Sequence, residues 1–130
     1  MTDVYIPPEH NDFRLLGTLA HLDTGPGKAT LEIYDGEKPE GGGAAPSPLV
    51  TFTFTKPAGA VADHKLTLTA ESVPLVMRSG IATWGRLKTA NGALNMDVRV
   101  SGVDGPGHVW LDKIELLAGG SVQLVMAIVR

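Results

Sequence analysis

Four histidines, His10, His21, His64 and His108, are the residues best suited to ligate a metal or shuttle a proton. They lie far apart in the chain, and none forms an HxH, HxxxH or HExxH pattern. The acids group more tightly. Asp35, Glu37 and Glu40 sit close together, as do Asp104 and Asp112, but neither set has the spacing of a calcium-binding loop. Loop solvation is their expected role. There is no cysteine, hence no thiolate nucleophile, no disulfide and no Cys-based zinc site. Gly119-Gly120-Ser121-Val122-Gln123 lacks the second glycine of a nucleophile elbow. Gly102, Gly105 and Gly107 give GxxGxG in a hairpin-like connection, not the GxGxxG that joins a strand to a phosphate-binding helix. Nothing among the 14 acids selects a pair for glycoside hydrolysis. Trp84 and Trp110 fall in apparent strands, where core packing is the expected use, and aromatics are too few for a sugar platform. No enzyme, cofactor or metal site is therefore expected.

The elements that would carry such groups are short strands. With 16 glycines and 9 prolines, the 130 residues are punctuated throughout by turns. Leu49 to Thr55 alternates Val50, Phe52 and Phe54 against Thr51, Thr53 and Thr55, the pattern of a half-buried pleated strand. Ala29 to Tyr34 and Lys65 to Ala70 alternate likewise. Ser79 to Lys88 and Ala93 to Ser101 flank Thr89-Ala90-Asn91-Gly92, and Asn-Gly predicts a hairpin because both residues accept positive φ. Ile81 and Leu87 share a parity that Trp84 opposes, so the first arm is either covered on both faces or bulged. Val109 to Leu117 reads as a strand whose parity slips near Asp112-Lys113. In the last strand Val122, Leu124, Met126 and Ile128 form one face and Val125, Ala127 and Val129 the other. Both faces need cover: the helix or the N-terminal arm for one reading, a partner subunit for the other.

Phe13 to Leu22 is the one expected helix, capped by Asn11 or Asp12, with a strand as the competing assignment. Phe13, Leu16, Leu19 and Ala20 fall at helical spacing, and so do Leu15, Leu19 and Leu22. Residues 1–12 read as an extended arm stiffened by Pro7 and Pro8. Its apolar Val4, Tyr5 and Ile6 either pack on their own domain or lie on a neighbouring subunit. Residues 37–48, EKPEGGGAAPSP, form a long loop without large apolar groups and should be solvated. The sum is an all-β fold: one antiparallel β-sandwich, jelly-roll or immunoglobulin-like, over 13–130, with seven to eight strands and at most one short helix.

Charge narrows the partners. Eleven basic and 14 acidic residues give a net charge of −3, and the basic residues are scattered, so direct nucleic-acid binding is not expected. The longest largely apolar stretch, Val122 to Val129, is far short of a membrane span. The N-terminus has no basic region followed by an apolar run, so a signal peptide is not expected. The lack of cysteine fits assembly in a reducing cytosol.

One longer pattern has a parallel. Pro26 to Pro39, reading PGKATLEIYDGEKP, precedes a Gly/Ala-rich loop, the Leu49-Val50-Thr51-Phe52-Thr53-Phe54 strand and Lys56-Pro57-Ala58-Gly59. Then comes Ser79-Gly80-Ile81-Ala82-Thr83-Trp84-Gly85-Arg86-Leu87. Over residues 26–88 this order resembles small virion-associated proteins of tailed bacteriophages and prophages. The resemblance implies a structural role in the particle, foremost as a capsid decoration (cement) protein, with no catalytic residue to carry over. It implies the major capsid protein or other virion proteins as partners, self-association, and a place in the virion after assembly in the host cytoplasm. A tail or head–tail connector component is the nearest alternative, and a β-sandwich module for glycan or receptor the next. The expected interface is Val4, Tyr5, Ile6, Pro7 and Pro8 of the arm with Val125, Ala127 and Val129 of the last strand.

Overall fold

The computed structural model describes residues 4–130. One helix, α1 (Pro8–Leu22), precedes nine strands: β1 (Thr30–Tyr34), β2 (Val50–Ala62), β3 (Lys65–Ala70), β4 (Gly80–Ile81), β5 (Trp84–Lys88), β6 (Leu94–Gly102), β7 (Val109–Leu111), β8 (Glu115–Leu116) and β9 (Leu124–Val129). Seven of them close into a barrel in the order β1-β2-β3-β9-β7-β6-β5, while β4 and β8 pair as a separate two-stranded sheet. The β-rich expectation is met. The strand order closes on itself, so the wall is a seven-strand barrel with a small second sheet and not clearly the expected sandwich. Alternation fixes only that each strand has one inner face, which both architectures share.

Register explains how the interior is filled. Leu31 stands beside Phe52 on one side and Leu87 on the other. Val61 faces Leu66, Leu66 faces Val129, and Val109 faces Val100 and Ala127. These residues belong to one continuous apolar core, so the barrel is packed with side chains.

Two irregularities shape the wall. Between Phe54 and Gly59 the register shifts, so β2 carries Thr55 to Ala58 against a single residue of β3 and then runs on to Ala62. The strand expected to end at Thr55 therefore continues past Pro57, which sits in the bulge and donates to no ladder. The second irregularity is the parallel pairing of β6 with β7, where every other barrel pair is antiparallel. Parallel neighbours usually need a crossover of a dozen residues or more. Here Val103 to His108 suffices, because the loop folds against the end of β6. The Gly107 amide donates to Ser101 Oγ and the His108 amide to the Arg99 carbonyl. A Cβ on Gly107 would stand 2.7 Å from the Arg99 carbonyl oxygen, so only glycine allows this approach. The three glycines expected in a hairpin serve a parallel return.

Both openings are covered. Helix α1 packs against β2 and β3 on one wall and β6 on the other, so it lies across one opening. It starts at Pro8, not Phe13. Proline suits the first helical turn because its missing N–H would have no partner there, and Pro7 occupies the N-cap position. Residues 8–12, expected in the arm, are helical. Of the two apolar stripes, Leu15, Leu19 and Leu22 face the barrel, while Phe13 and Leu16 face solvent. The Ala90 amide donates to the Leu22 carbonyl, and Gly25 (φ +128°) lies so close to Asn91 that a Cβ would stand 2.5 Å from its amide nitrogen. The opposite opening is covered by the β4–β8 pair and the segment around Val76. The Val76 amide donates to the Gly120 carbonyl, the Met77 amide to Leu49 and the Ala82 amide to Ile114. Leu49, Val76, Ala82, Leu116 and Val122 are buried beneath this cap. The parity slip near Asp112-Lys113 is thus the point where the chain leaves the barrel after β7 and enters the cap as β8.

Candidate functional site

The densest polar cluster lies on the outer face of β1, β5 and β6. Alternation turns Glu32 and Tyr34, Trp84, Arg86 and Lys88, and Asp97 away from the core, and pairing sets Arg86 between Glu32 and Asp97. Arg86 grips Asp97 with two bonds, Nε to Oδ1 at 2.7 Å and Nη2 to Oδ2 at 3.1 Å. Its guanidinium carbon lies 5.5 Å from the centroid of the Trp84 ring, and Trp84 stacks on Tyr34 with centroids 4.4 Å apart. The Tyr34 hydroxyl donates to Glu32 Oε1 at 2.6 Å, which also takes Lys88 Nζ at 3.0 Å.

Outward-facing residues are buried here because the long loop lies over them. Arg86 Nη2 donates to the Gly43 carbonyl at 2.7 Å, and Trp84 Nε1 to the Asp35 carbonyl at 3.2 Å. Arg78 holds the loop's two ends, binding Asp35 through Nη2 at 2.8 Å and Nη1 at 3.2 Å, and the Ser47 carbonyl at 2.8 Å. Residues 37–48 are solvated as expected, none of them buried, and at the same time lie over this cluster, with the 3-10 turn Glu40–Gly42 against β6. The sequence alternatives for β5 both hold: it is covered on both faces, and its register with β6 shifts after Leu87.

Electrostatics make this cluster a clamp. The hydrogen bonds that Arg86 donates to Asp97, with the charge of that carboxylate, raise the Arg86 guanidinium pKa against the opposing cost of burial. Burial pushes the Tyr34 hydroxyl far above its usual 10.0, and the bond to Glu32 adds to this, so Tyr34 stays protonated. The hydrogen bond from Arg78 holds the Asp35 carboxyl below its usual 3.8. Each of these charges already has a partner, which leaves the cluster to join loop to barrel.

The histidines are used singly. His21 Nδ1 meets Asn95 Nδ2 at 2.8 Å, and His64 Nδ1 meets Asp12 at 3.1 Å, so each ties α1 to a hairpin. His108 lines a groove outside β9 with Met126 and Ile128. Among the described residues no three His, Cys, Asp or Glu side chains come together as a metal site, and no helix is long and apolar enough to cross a membrane.

The expected interface residues separate into two groups. Val4 and Tyr5 are 77 % and 80 % exposed, Ile6 is half-buried, and Pro7 and Pro8 are exposed at the root of the helix. In β9 the register shifts between Trp110 and Leu111: Leu111 faces Leu124 while Trp110 faces Met126. Val125 is the extra residue of this bulge and points outward, 49 % exposed. Beyond it the parity is reversed, so Ala127, 1 % exposed, lies in the core and Val129 packs against it. Ala127 thus belongs to the chain's own interior and Val125 to its surface. Sequence reasoning missed a third group. Leu75, Met77, Ile81 and Leu117 are exposed on the cap, alternating with buried Val76, Ala82 and Leu116. The signal was present in the Leu75-Val76-Met77 alternation.

No family model matches the chain, and neither do curated proteins or solved structures.

Proposed function

We propose that this chain is a structural protein of a tailed-phage virion, acting foremost as a capsid decoration protein that binds between shell subunits. The observation that carries this reading is where its apolar surface lies. The barrel interior is filled and its outer polar cluster is internally paired. Large apolar side chains are instead presented to solvent at both closed ends: Tyr5, Phe13 and Leu16 beside the helix, Leu75, Met77 and Leu117 on the cap. Apolar surface at two separate places suits a component buried between others upon assembly. The barrel leaves no unpaired edge in its seven-strand wall, so contacts run through side chains and the arm.

The deciding experiment is quantitative mass spectrometry of purified particles of the phage that encodes the chain, paired with binding of the isolated protein to shells that lack it. Many copies per particle and saturable shell binding support the reading. Absence from particles overturns it. A small fixed number of copies, retained in isolated tails or necks, moves the protein to the connector or tail. A receptor-binding module would instead expose an aromatic platform. Trp84 is buried beneath the long loop and Trp110 is half-buried with its Nε1 donating to the Gly105 carbonyl, so neither ring offers one.

A further inference from the structure

Tyr34 and Trp84 turn outward from the barrel, yet each is only 2 % exposed. The segment from Asp35 to Ser47 lies over them, and it hides almost nothing of its own: none of residues 37–48 is buried, and the stretch has no large apolar side chain. Its fastenings are side chains that reach up to it. Trp84 Nε1 donates to the Asp35 carbonyl, Thr83 Oγ1 to the Gly36 carbonyl at 2.6 Å and Arg86 Nη2 to the Gly43 carbonyl, while Arg78 clasps Asp35 together with the Ser47 carbonyl. Among the described residues, Arg86 is the single side chain hydrogen-bonded to the span 37–46. None of these is a ladder bond of the barrel.

Lifting the segment strands no charge. Arg86 keeps both bonds to Asp97, Tyr34 keeps its bond to Glu32, and the freed carbonyls and Trp84 Nε1 meet water. Arg78 and Asp35 are already partly exposed, so each is solvated once they part. Three consecutive glycines, Gly41, Gly42 and Gly43, regain much backbone freedom. Strands β1 and β2 stay paired, with Ile33 against Val50, so the ends of the segment remain fixed while its middle moves. We propose that Asp35 to Ser47 is a hinged lid that opens while the barrel stays folded, and that opening uncovers the stacked rings of Tyr34 and Trp84 on the outer wall. Closed, the wall withholds its aromatic surface; open, it presents two rings beside a guanidinium that is still paired. The lid belongs to this chain alone, and it stands or falls separately from the virion reading.

Hydrogen exchange of the two tryptophan indoles, followed by NMR in low concentrations of urea, tests it. Exchange through local opening is insensitive to urea, whereas exchange through global unfolding accelerates with it. The expected result is a Trp84 indole that exchanges without urea dependence, beside core amides of β1 and β5 that exchange only with it. Arg78→Ala should speed Trp84 exchange by roughly tenfold. A fastened lid gives the converse. A Cβ on Gly42 would stand 2.6 Å from Leu94 Cδ2, and the chain has no cysteine, so Gly42→Cys with Leu94→Cys can close a single disulfide between lid and β6. Oxidation should slow Trp84 exchange by roughly tenfold or more. It should leave the Trp110 indole, which bonds the Gly105 carbonyl, unchanged. Reduction should restore the Trp84 rate, which a misfolded variant would not do. A Trp84 indole with the same urea dependence as the core amides overturns the proposal. So does a Trp84 rate that oxidation leaves unchanged, since water would then reach the ring by another route.

Discussion

Arg86 shows how one side chain can decide a surface. It bonds Asp97 twice, lies over Trp84 and holds the Gly43 carbonyl, all with little access to water. Replacing it by methionine leaves a desolvated carboxylate with no counter-charge, a change that costs about 3–5 kcal/mol in comparable buried pairs. We expect Arg86→Met to lower the unfolding free energy measured in urea by that amount, and Arg86→Met with Asp97→Leu to regain much of it. Asp35 adds a pH dependence of definite sign. Its folded-state pKa lies below the ordinary value, so the Arg78 tether contributes fully above pH 4 or so and is lost as acid titrates the carboxyl. Proteolysis within residues 37–48 should therefore accelerate below about pH 4, and Asp35→Asn should show that faster cleavage already at neutral pH. The pair is partly exposed, so the effect belongs to the loop and not to global stability. Little of this was legible in the sequence. The parity conflict at Trp84 announced that β5 was covered twice, but nothing in a Gly/Ala-rich loop announces that it is the cover, because its bonds are made by backbone carbonyls.

Elements were read better than their ends. The helix was placed by its apolar spacing, yet two stripes competed, and only contact with β2, β3 and β6 selects Leu15, Leu19 and Leu22. Leu22 is fully buried where the helix meets the β5–β6 turn. Leu22→Ala should destabilise the fold by about 3 kcal/mol in chemical denaturation, whereas Leu16→Ala on the solvent face should change it by less than about 0.5. The same junction constrains Gly25. A side chain there meets both an unfavourable φ and the Asn91 backbone, so Gly25→Ala should cost on the order of 1–3 kcal/mol. Alternation located most barrel strands, since period two is a direct consequence of the pleat. It failed where one residue is added, at Val125, and where the chain changes sheets, after Leu111. Both are decided by long-range pairing that local pattern does not carry.

At the scale of the whole molecule, the arm is expected to serve assembly and not folding. Removing residues 1–6 takes away exposed Val4 and Tyr5 while sparing the barrel and α1, whose first bond runs from the Asn11 amide to the Pro7 carbonyl. The melting temperature should move little and shell binding should fall; a large loss of thermal stability with unchanged binding would count against this role. Closure of the wall has a consequence for synthesis. The sheet becomes continuous only when β9 slots between β3 and β7, which lie far apart in the chain and touch no other element on those sides. A polypeptide cut short ahead of Leu124 therefore carries two raw strand margins and an uncovered greasy lumen. Such a fragment would cling to its own kind, and quality-control machinery would have good reason to remove it.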